Sequence, residues 1–95
     1  MKMFYYYIAE DFNKEDMGFA NHLIKRCDTY EEAVEFCNSA VNKWREDGLV
    51  AELIFIDVNK TEVWGAHAYD KEFVVKHLYN IFATPMFMAG GVDGL

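Results

Sequence analysis

Residues 49–60 read Leu49-Val50-Ala51-Glu52-Leu53-Ile54-Phe55-Ile56-Asp57-Val58-Asn59-Lys60. This is the longest apolar run that ends in a clear turn, and residues 50–58 predict a buried β-strand. Residues 53–56 are all apolar, although successive side chains of a strand point to opposite faces of the sheet. We therefore expect this strand to lie at the centre of a sheet with both of its faces covered.

A similar ending occurs near the N-terminus, where residues 7–14 also finish in Asn-Lys. We expect strands at 3–10 and 17–22 around this first turn, and a connection at 23–28. Around the second turn, residues 62–69 are expected to return as a strand. Two explanations of the similarity between these two stretches stay open. The chain could contain a duplicated unit, or two similar hairpins could have arisen by chance.

The clearest helix is predicted over residues 29–47. Thr29 and Glu32 form a capping box, in which each side chain can bond the backbone N–H of the other residue. Asp47-Gly48 supplies the stop. Apolar residues recur on one face, namely Ala33, Cys37, Ala40, Val41 and Trp44.

A second helix is predicted over residues 70–83. Asp70 is a suitable N-cap, and Pro85 would end the helix. Its apolar face would consist of Val74, Val75, Leu78, Ile81 and Phe82.

These elements predict an α+β domain with the order ββα-ββα. Short connections favour a mostly antiparallel four-stranded sheet, with both helices (about 29–47 and 70–83) packed on one face. Ninety-five residues suit a single domain, which we place at residues 1–89. Residues 90–95 are glycine-rich and are expected to form a flexible C-terminal tail.

The chain is acidic, with 16 Asp and Glu against 9 Lys and Arg and a net charge of −7. This balance disfavours direct nucleic-acid binding, which relies on Lys and Arg to neutralise phosphates. No apolar run is long enough to span a membrane, and the N-terminal residues do not resemble a signal peptide. We therefore expect a cytoplasmic protein that does not bind membranes.

The sequence contains no motif typical of catalysis, so we expect a protein that is not an enzyme and needs no cofactor. Cys27 and Cys37 fit neither a zinc site nor a redox pair. The three histidines lack metal-ligand spacing within one element. A calcium-loop pattern begins at residues 11–15 but lacks the required glycine, which leaves no predicted metal site.

The aromatic first strand points to a contact surface. With both helices on one face, the other face needs cover, and Tyr5, Tyr7 and Phe55 are candidates to meet a partner there. That cover could be a second copy of the chain, another protein or the chain's own residues 86–88. Exposed apolar patches of this kind mark interfaces.

We therefore expect a small protein-interaction module that binds another protein or itself, including a homodimer through the second sheet face. Its carboxylates would attract a basic partner; they are Glu10, Asp11, Glu15, Asp16, Glu31, Glu32 and Glu35. An analogy of size and charge extends this to an inhibitor of a nucleic-acid-binding surface, such as a phage antidefence protein. The alternative is a small ligand-binding domain or enzyme with a site near Trp64, His67 and Tyr69.

Overall fold

The computed structural model describes residues 4–10 and 22–85. They form β1 (Phe4–Glu10), β2 (His22–Cys27), α1 (Tyr30–Glu46), β3 (Val50–Phe55), β4 (Val63–Tyr69) and β5 (Val75–Pro85). The five strands make one antiparallel sheet in the spatial order β2-β1-β5-β4-β3, and α1 packs on one face of it. The α+β class and the antiparallel sheet are confirmed. The count of four strands and two helices is wrong, because five strands and one helix are seen in the described residues.

Helix α1 begins and ends as its sequence predicts. The Thr29 Oγ1 accepts a hydrogen bond from the Glu32 backbone N–H at 3.1 Å. The Glu32 carboxylate accepts from the backbone N–H of Asp28 at 3.2 Å, one residue before the predicted Thr29. Gly48 follows the helix with a φ of 89°, a conformation that glycine adopts without steric cost. The capping box therefore fixes the start of α1, and glycine its end.

The predicted second helix at 70–83 is wrong, because residues 75–85 form β5. This strand lies between β1 and β4 and bonds to both. His77, Tyr79 and Ile81 face α1, whereas Leu78 and Phe82 lie on the opposite face. A strand with apolar residues on both faces does not show the alternation of apolar and polar residues by which a strand is recognised in a sequence. Its apolar residues then also match a helical spacing.

Asp70 does act as a cap, but of a turn instead of a helix. Its Oδ1 accepts hydrogen bonds from the backbone N–H groups of Glu72 at 2.9 Å and Val74 at 3.0 Å. The bond from Val74 is the main reason that the pKa of Asp70 is lowered. Phe73 then adopts a φ of 66°, which reverses the chain into β5. Asp70 was therefore correctly predicted to cap backbone N–H groups, but the chain turns at Phe73 and continues as a strand instead of a helix.

The prediction that residues 50–58 form the central strand is also wrong. β5 is the central strand, and β3 is the last strand in the sheet order. The expected connection at 23–28 is mostly strand, since β2 spans His22–Cys27 and occupies the opposite edge. The two halves therefore do not form equivalent ββα units. The expected return strand over 17–21 and the tail over 90–95 lie outside the described residues.

The core lies between α1 and the sheet. Its residues are Ile8, Cys27, Ala33, Cys37, Val41, Trp44, Ala51, Ala66, Ala68 and Ile81. Aromatic contacts join α1 to β5. Trp44 stacks on His77 with 4.7 Å between the ring centres, and Phe36 stacks on Tyr79 with 6.3 Å between the ring centres. The alanines of β3 and β4 leave room for α1, which lets these rings reach the sheet.

The Tyr30 hydroxyl ties the first turn of α1 to the start of β4. It donates a hydrogen bond to the Val63 carbonyl oxygen at 3.0 Å and accepts one from the Val63 N–H at 2.6 Å. One hydroxyl therefore satisfies both backbone groups of a single strand residue. This happens beside the irregularity where Ile54 pairs with Gly65 but Phe55 pairs with Val63.

Replacing Tyr30 with Phe should lower the free energy of unfolding by about 1–3 kcal/mol, because two half-buried backbone groups lose their partner. Urea unfolding followed by circular dichroism measures the change. Tyr69→Phe, on the opposite face of the sheet, serves as the control and should cost less. Equal losses in the two variants would show that the Tyr30 hydroxyl contributes nothing specific.

Gly65 occupies a position that no side chain can share. A Cβ atom there would lie 1.9 Å from the carbonyl oxygen of Tyr79 in β5. That oxygen belongs to a strand bonded on both sides, so it cannot move aside without disturbing the ladder. Glycine is therefore required sterically at the irregular end of β4.

Gly65→Ala should lower the free energy of unfolding by more than about 3 kcal/mol, since the clash is with backbone. Gly48→Ala is a matched control, because nothing lies within 4 Å of its Cβ position. The control should cost about 1–2 kcal/mol for its left-handed backbone. Thermal unfolding of both variants gives the comparison, and a milder effect at Gly65 would contradict the steric argument.

Candidate interaction surface

A groove runs between α1 and β3 along one edge of the sheet. We call it the edge groove. It is lined by Tyr30, Glu31, Val34, Glu35, Asn38, Val41 and Arg45 of α1 together with Glu52, Leu53, Phe55 and Lys60. It consists of two adjoining cavities of about 400 and 320 Å³, which share Asn38 and Leu53. Val34, Leu53 and Phe55 are only partly buried, so the floor of the groove is apolar and accessible.

Carboxylates stand at one end of the edge groove. Glu31 and Glu35 are exposed, lie one helical turn apart and line the larger cavity. Glu32 does not line it, and its carboxylate instead holds the backbone N–H of Asp28. Of the three helix glutamates predicted to attract a partner, two therefore lie on the groove and one is used in capping.

The other end of the groove carries cationic side chains. Arg45 donates a hydrogen bond from Nε to the Ala51 carbonyl oxygen at 2.8 Å. The Lys60 Nζ lies 5.9 Å from the centre of the Phe55 ring. Lys60 has a φ of 58° and lies in a turn where Asp57 accepts hydrogen bonds from Thr61. These bonds lower the pKa of Asp57, the Thr61 hydroxyl having the largest effect.

Among the described residues, no strand pairs with the side of β3 away from β4, which we call the free edge. In an antiparallel pair, alternate residues bond the neighbouring strand and the residues between them point away from it. The Ala51 carbonyl meets Arg45, whereas the Ile56 N–H bonds Glu62 of the adjacent turn. By this alternation Leu53 and Phe55 direct their backbone groups away from β4, towards the edge. Within residues 4–10 and 22–85, no strand lies on that side of β3.

The predicted aromatic contact residues do not share one surface. Phe55 lines the groove beside α1, whereas Tyr5 and Tyr7 point to the face of the sheet away from α1. Tyr7 is fully buried and stacks on Phe82 at 5.7 Å, so it cannot form an exposed contact surface in this conformation. Tyr5 is partly buried beneath the Arg26 guanidinium, 4.5 Å from its ring centre. Sequence alone could not assign these faces, because tyrosines occupy consecutive positions.

The sheet face away from α1 is mixed in character. Apolar side chains alternate there with polar and charged ones, including Arg26, Glu52, His67 and Asn80. Phe82 is 43% exposed and Leu23 is 53% exposed. The second face is therefore not the continuous apolar surface expected from residues 53–56. Homodimerisation through it stays a prediction.

The remaining predicted acidic residues are dispersed. Glu10 lies at the end of β1, where its Oε2 is 3.3 Å from Nδ1 of His77. It is one of the groups that raise the pKa of Tyr79, although burial of the ring is the larger cause. Asp11, Glu15 and Asp16 lie outside the described residues. Glu10 is thus on the same face of the sheet as α1, but β5 and β4 lie between its strand and β3 at the edge groove.

The alternative site was expected near Trp64, His67 and Tyr69. The His67 Nε2 lies 3.4 Å from the Glu52 Oε1, and the Tyr69 ring meets the His67 ring edge-on at 5.6 Å. Trp64 lines a different cavity of about 120 Å³, with Tyr6, Tyr30 and Phe82 among its other residues. His67 and Tyr69 are thus in contact, whereas neither of them lines the cavity beside Trp64.

The cysteine thiols lie in the core. Cys27 and Cys37 are buried and unpaired. Burial raises the pKa of both, and that of Cys37 reaches about 11, with nearby Cys27 a lesser cause. A thiol that keeps its proton at neutral pH is a poor nucleophile. No group of three His, Cys, Asp or Glu side chains is placed to hold a metal ion within the described ranges.

The raised pKa of Cys37 predicts that the stability of the protein depends on pH. Because the ordinary pKa of 9.0 rises to about 11 on folding, the folded state retains the proton longer than the unfolded state. The free energy of unfolding should therefore fall by up to about 2 kcal/mol between pH 9 and 11. Urea unfolding under reducing conditions at both pH values measures this slope. Cys37→Ala should make the slope smaller, and an unchanged slope would contradict the assignment.

Two features of this region escaped the sequence interpretation. The position of β3 at the edge depends on the pairing of β5, which no local pattern reports. Phe73 is 80% exposed at the β4–β5 turn with a positive φ, and an aromatic residue gives no signal for that conformation. The burial of Cys37, in contrast, followed from its spacing on α1.

The comparisons with known proteins do not identify the chain. No known protein family, curated protein or solved structure matches it significantly. Among the described residues, no helix is both long and apolar enough to cross a membrane.

Proposed function

We propose that this protein is a non-enzymatic interaction module that binds a basic region of another protein through the edge groove. One observation carries the proposal: an accessible apolar groove bounded by Glu31 and Glu35 lies beside the free edge of β3. Apolar floors supply binding energy, and charged rims steer and orient a partner.

The chemistry of the groove favours a protein partner over other ligands. The larger cavity is lined mainly by Tyr30, Val34 and Leu53 and bounded by carboxylates, which would repel phosphates. Both cavities are open and lie end to end, a shape that suits an extended polypeptide better than a compact small molecule. The net charge of −7 adds attraction towards a cationic partner.

A protein that binds a basic region in this way could act as an inhibitor of a nucleic-acid-binding protein. Basic protein surfaces often bind nucleic acid, and an acidic domain that covers such a surface competes with the nucleic acid. The groove would then hold the basic segment while the remaining carboxylates repel the displaced phosphates. This part of the proposal rests on charge and size, and competition with nucleic acid is its direct consequence.

The double variant Glu31→Lys/Glu35→Lys should lose the partner, because it reverses the charge at the rim of the groove. Immobilised wild type and variant are compared in a lysate of the encoding organism by quantitative mass spectrometry. Retention of the specific partner should fall at least tenfold in the variant, and also when salt is raised from about 0.1 M to 0.5 M.

The control is Glu46→Lys/Glu72→Lys, which makes the same change of charge at exposed positions away from the groove. Circular dichroism establishes that both double variants remain folded. Equal loss of the partner in the two variants would indicate a general charge effect. Retention that resists both salt and the groove variant would contradict the proposed function.

A further inference from the structure

The two edges of the sheet are protected to different degrees. β2 carries Lys25 and Arg26, and its pairing with β1 is interrupted by an irregularity between Ile8 and Ala9. Charges and bulges of this kind hinder the addition of another strand. β3 carries a single charged side chain, that of Glu52, and the irregularity in its pairing with β4, between Ile54 and Phe55, places the extra residue in β4 and not in the edge strand. The edge at β3 is therefore the more receptive one.

The free edge also has a defined length and starting point. Arg45 occupies the Ala51 carbonyl and so closes one end of the edge. Beyond it, Leu53 and Phe55 present backbone N–H and C=O groups in the direction away from β4. A strand added beside β3 would lie about 4.8 Å from it, at the mouth of the edge groove. Its alternate side chains would then enter the two cavities that meet at Leu53.

Charge distinguishes a foreign strand from a second copy of this chain. Pairing two copies through β3 would bring together two molecules that each carry a net charge of −7. Like charges across a pairing are destabilising. A strand with apolar residues on the side facing α1 and Lys or Arg near Glu31 and Glu35 meets an apolar floor and opposite charge at the acidic end of the groove.

We propose that the protein binds its partner by strand addition: an extended, basic segment pairs with the backbone of Leu53 and Phe55 and places alternate apolar side chains in the edge groove. This inference rests on the proposed function and specifies the partner's conformation. Backbone bonds then supply affinity, whereas the groove and the two glutamates supply specificity.

The test begins with a displayed library of random 12-residue peptides selected against the purified protein. Enriched peptides should alternate apolar and polar residues and contain an excess of Lys and Arg. Each selected peptide is then synthesised with an N-methyl group at one position at a time. Because only alternate N–H groups face β3, binding should weaken at every second position by about tenfold and stay unchanged between them.

Protein variants provide the second measurement on the same peptides. Leu53→Pro removes an edge-facing N–H, and proline is tolerated at such edge positions. Leu53→Ala removes the side chain but keeps the N–H, so it is the matched control. Leu53→Pro should bind about tenfold more weakly than Leu53→Ala. Circular dichroism and thermal unfolding check that both variants keep the fold.

The outcomes separate this inference from the function it builds on. Peptides that depend on Glu31 and Glu35, but show no period of two and no difference between proline and alanine, would overturn strand addition alone. Absence of any enriched peptide would overturn strand addition as well. Concentration-dependent dimerisation that Leu53→Pro abolishes, measured by sedimentation, would identify a second copy as the occupant instead. Loss of salt-sensitive partner binding altogether would overturn both proposals.

Discussion

The pairing of β5 with β1 on one side and β4 on the other is the interaction on which the fold depends. Each of its neighbours carries another strand, so the order β2-β1-β5-β4-β3 follows once β5 is inserted. The same strand supplies His77 and Tyr79 to the rings of Trp44 and Phe36, which anchor α1. Sheet order and helix position therefore share one cause. Placing β5 at the centre also moves β3 to the edge and creates the groove.

Local signals predicted the elements whose determinants are close in sequence. The capping box at Thr29, the stop at Gly48 and the buried side of α1 are all found where the pattern indicates. The turn at Asn59-Lys60 was visible for the same reason, although β3 ends at Phe55, before the predicted end of the strand at Val58. These features depend on residues within one or two turns of each other, so their energies are largely independent of the rest of the chain.

Long-range pairing explains what the sequence did not reveal. Apolar residues on both faces of residues 75–85 made a central strand resemble a helix, because burial on two sides removes the period of two. Residues 53–56 misled in the opposite direction. Leu53 and Phe55 face α1 and the groove, which accounts for their apolar side chains. Ile54 points to the outer face, which is mixed in character and is not covered by a helix. Of the proposed site, the helix carboxylates could be predicted, and the free edge beside them could not.

The register of β1 and β5 has a consequence for how the molecule is made. Phe4 pairs with Pro85, and Glu10 pairs with Tyr79. β1 therefore cannot take its place in the sheet until β5 has been synthesised. During synthesis α1, β3 and β4 can begin to associate, but the sheet has no centre until residue 85 has left the ribosome. Such a high contact order predicts slow completion of folding. Until β5 is in place, β1 and β4 each lack a neighbouring strand and are open to pairing with other chains.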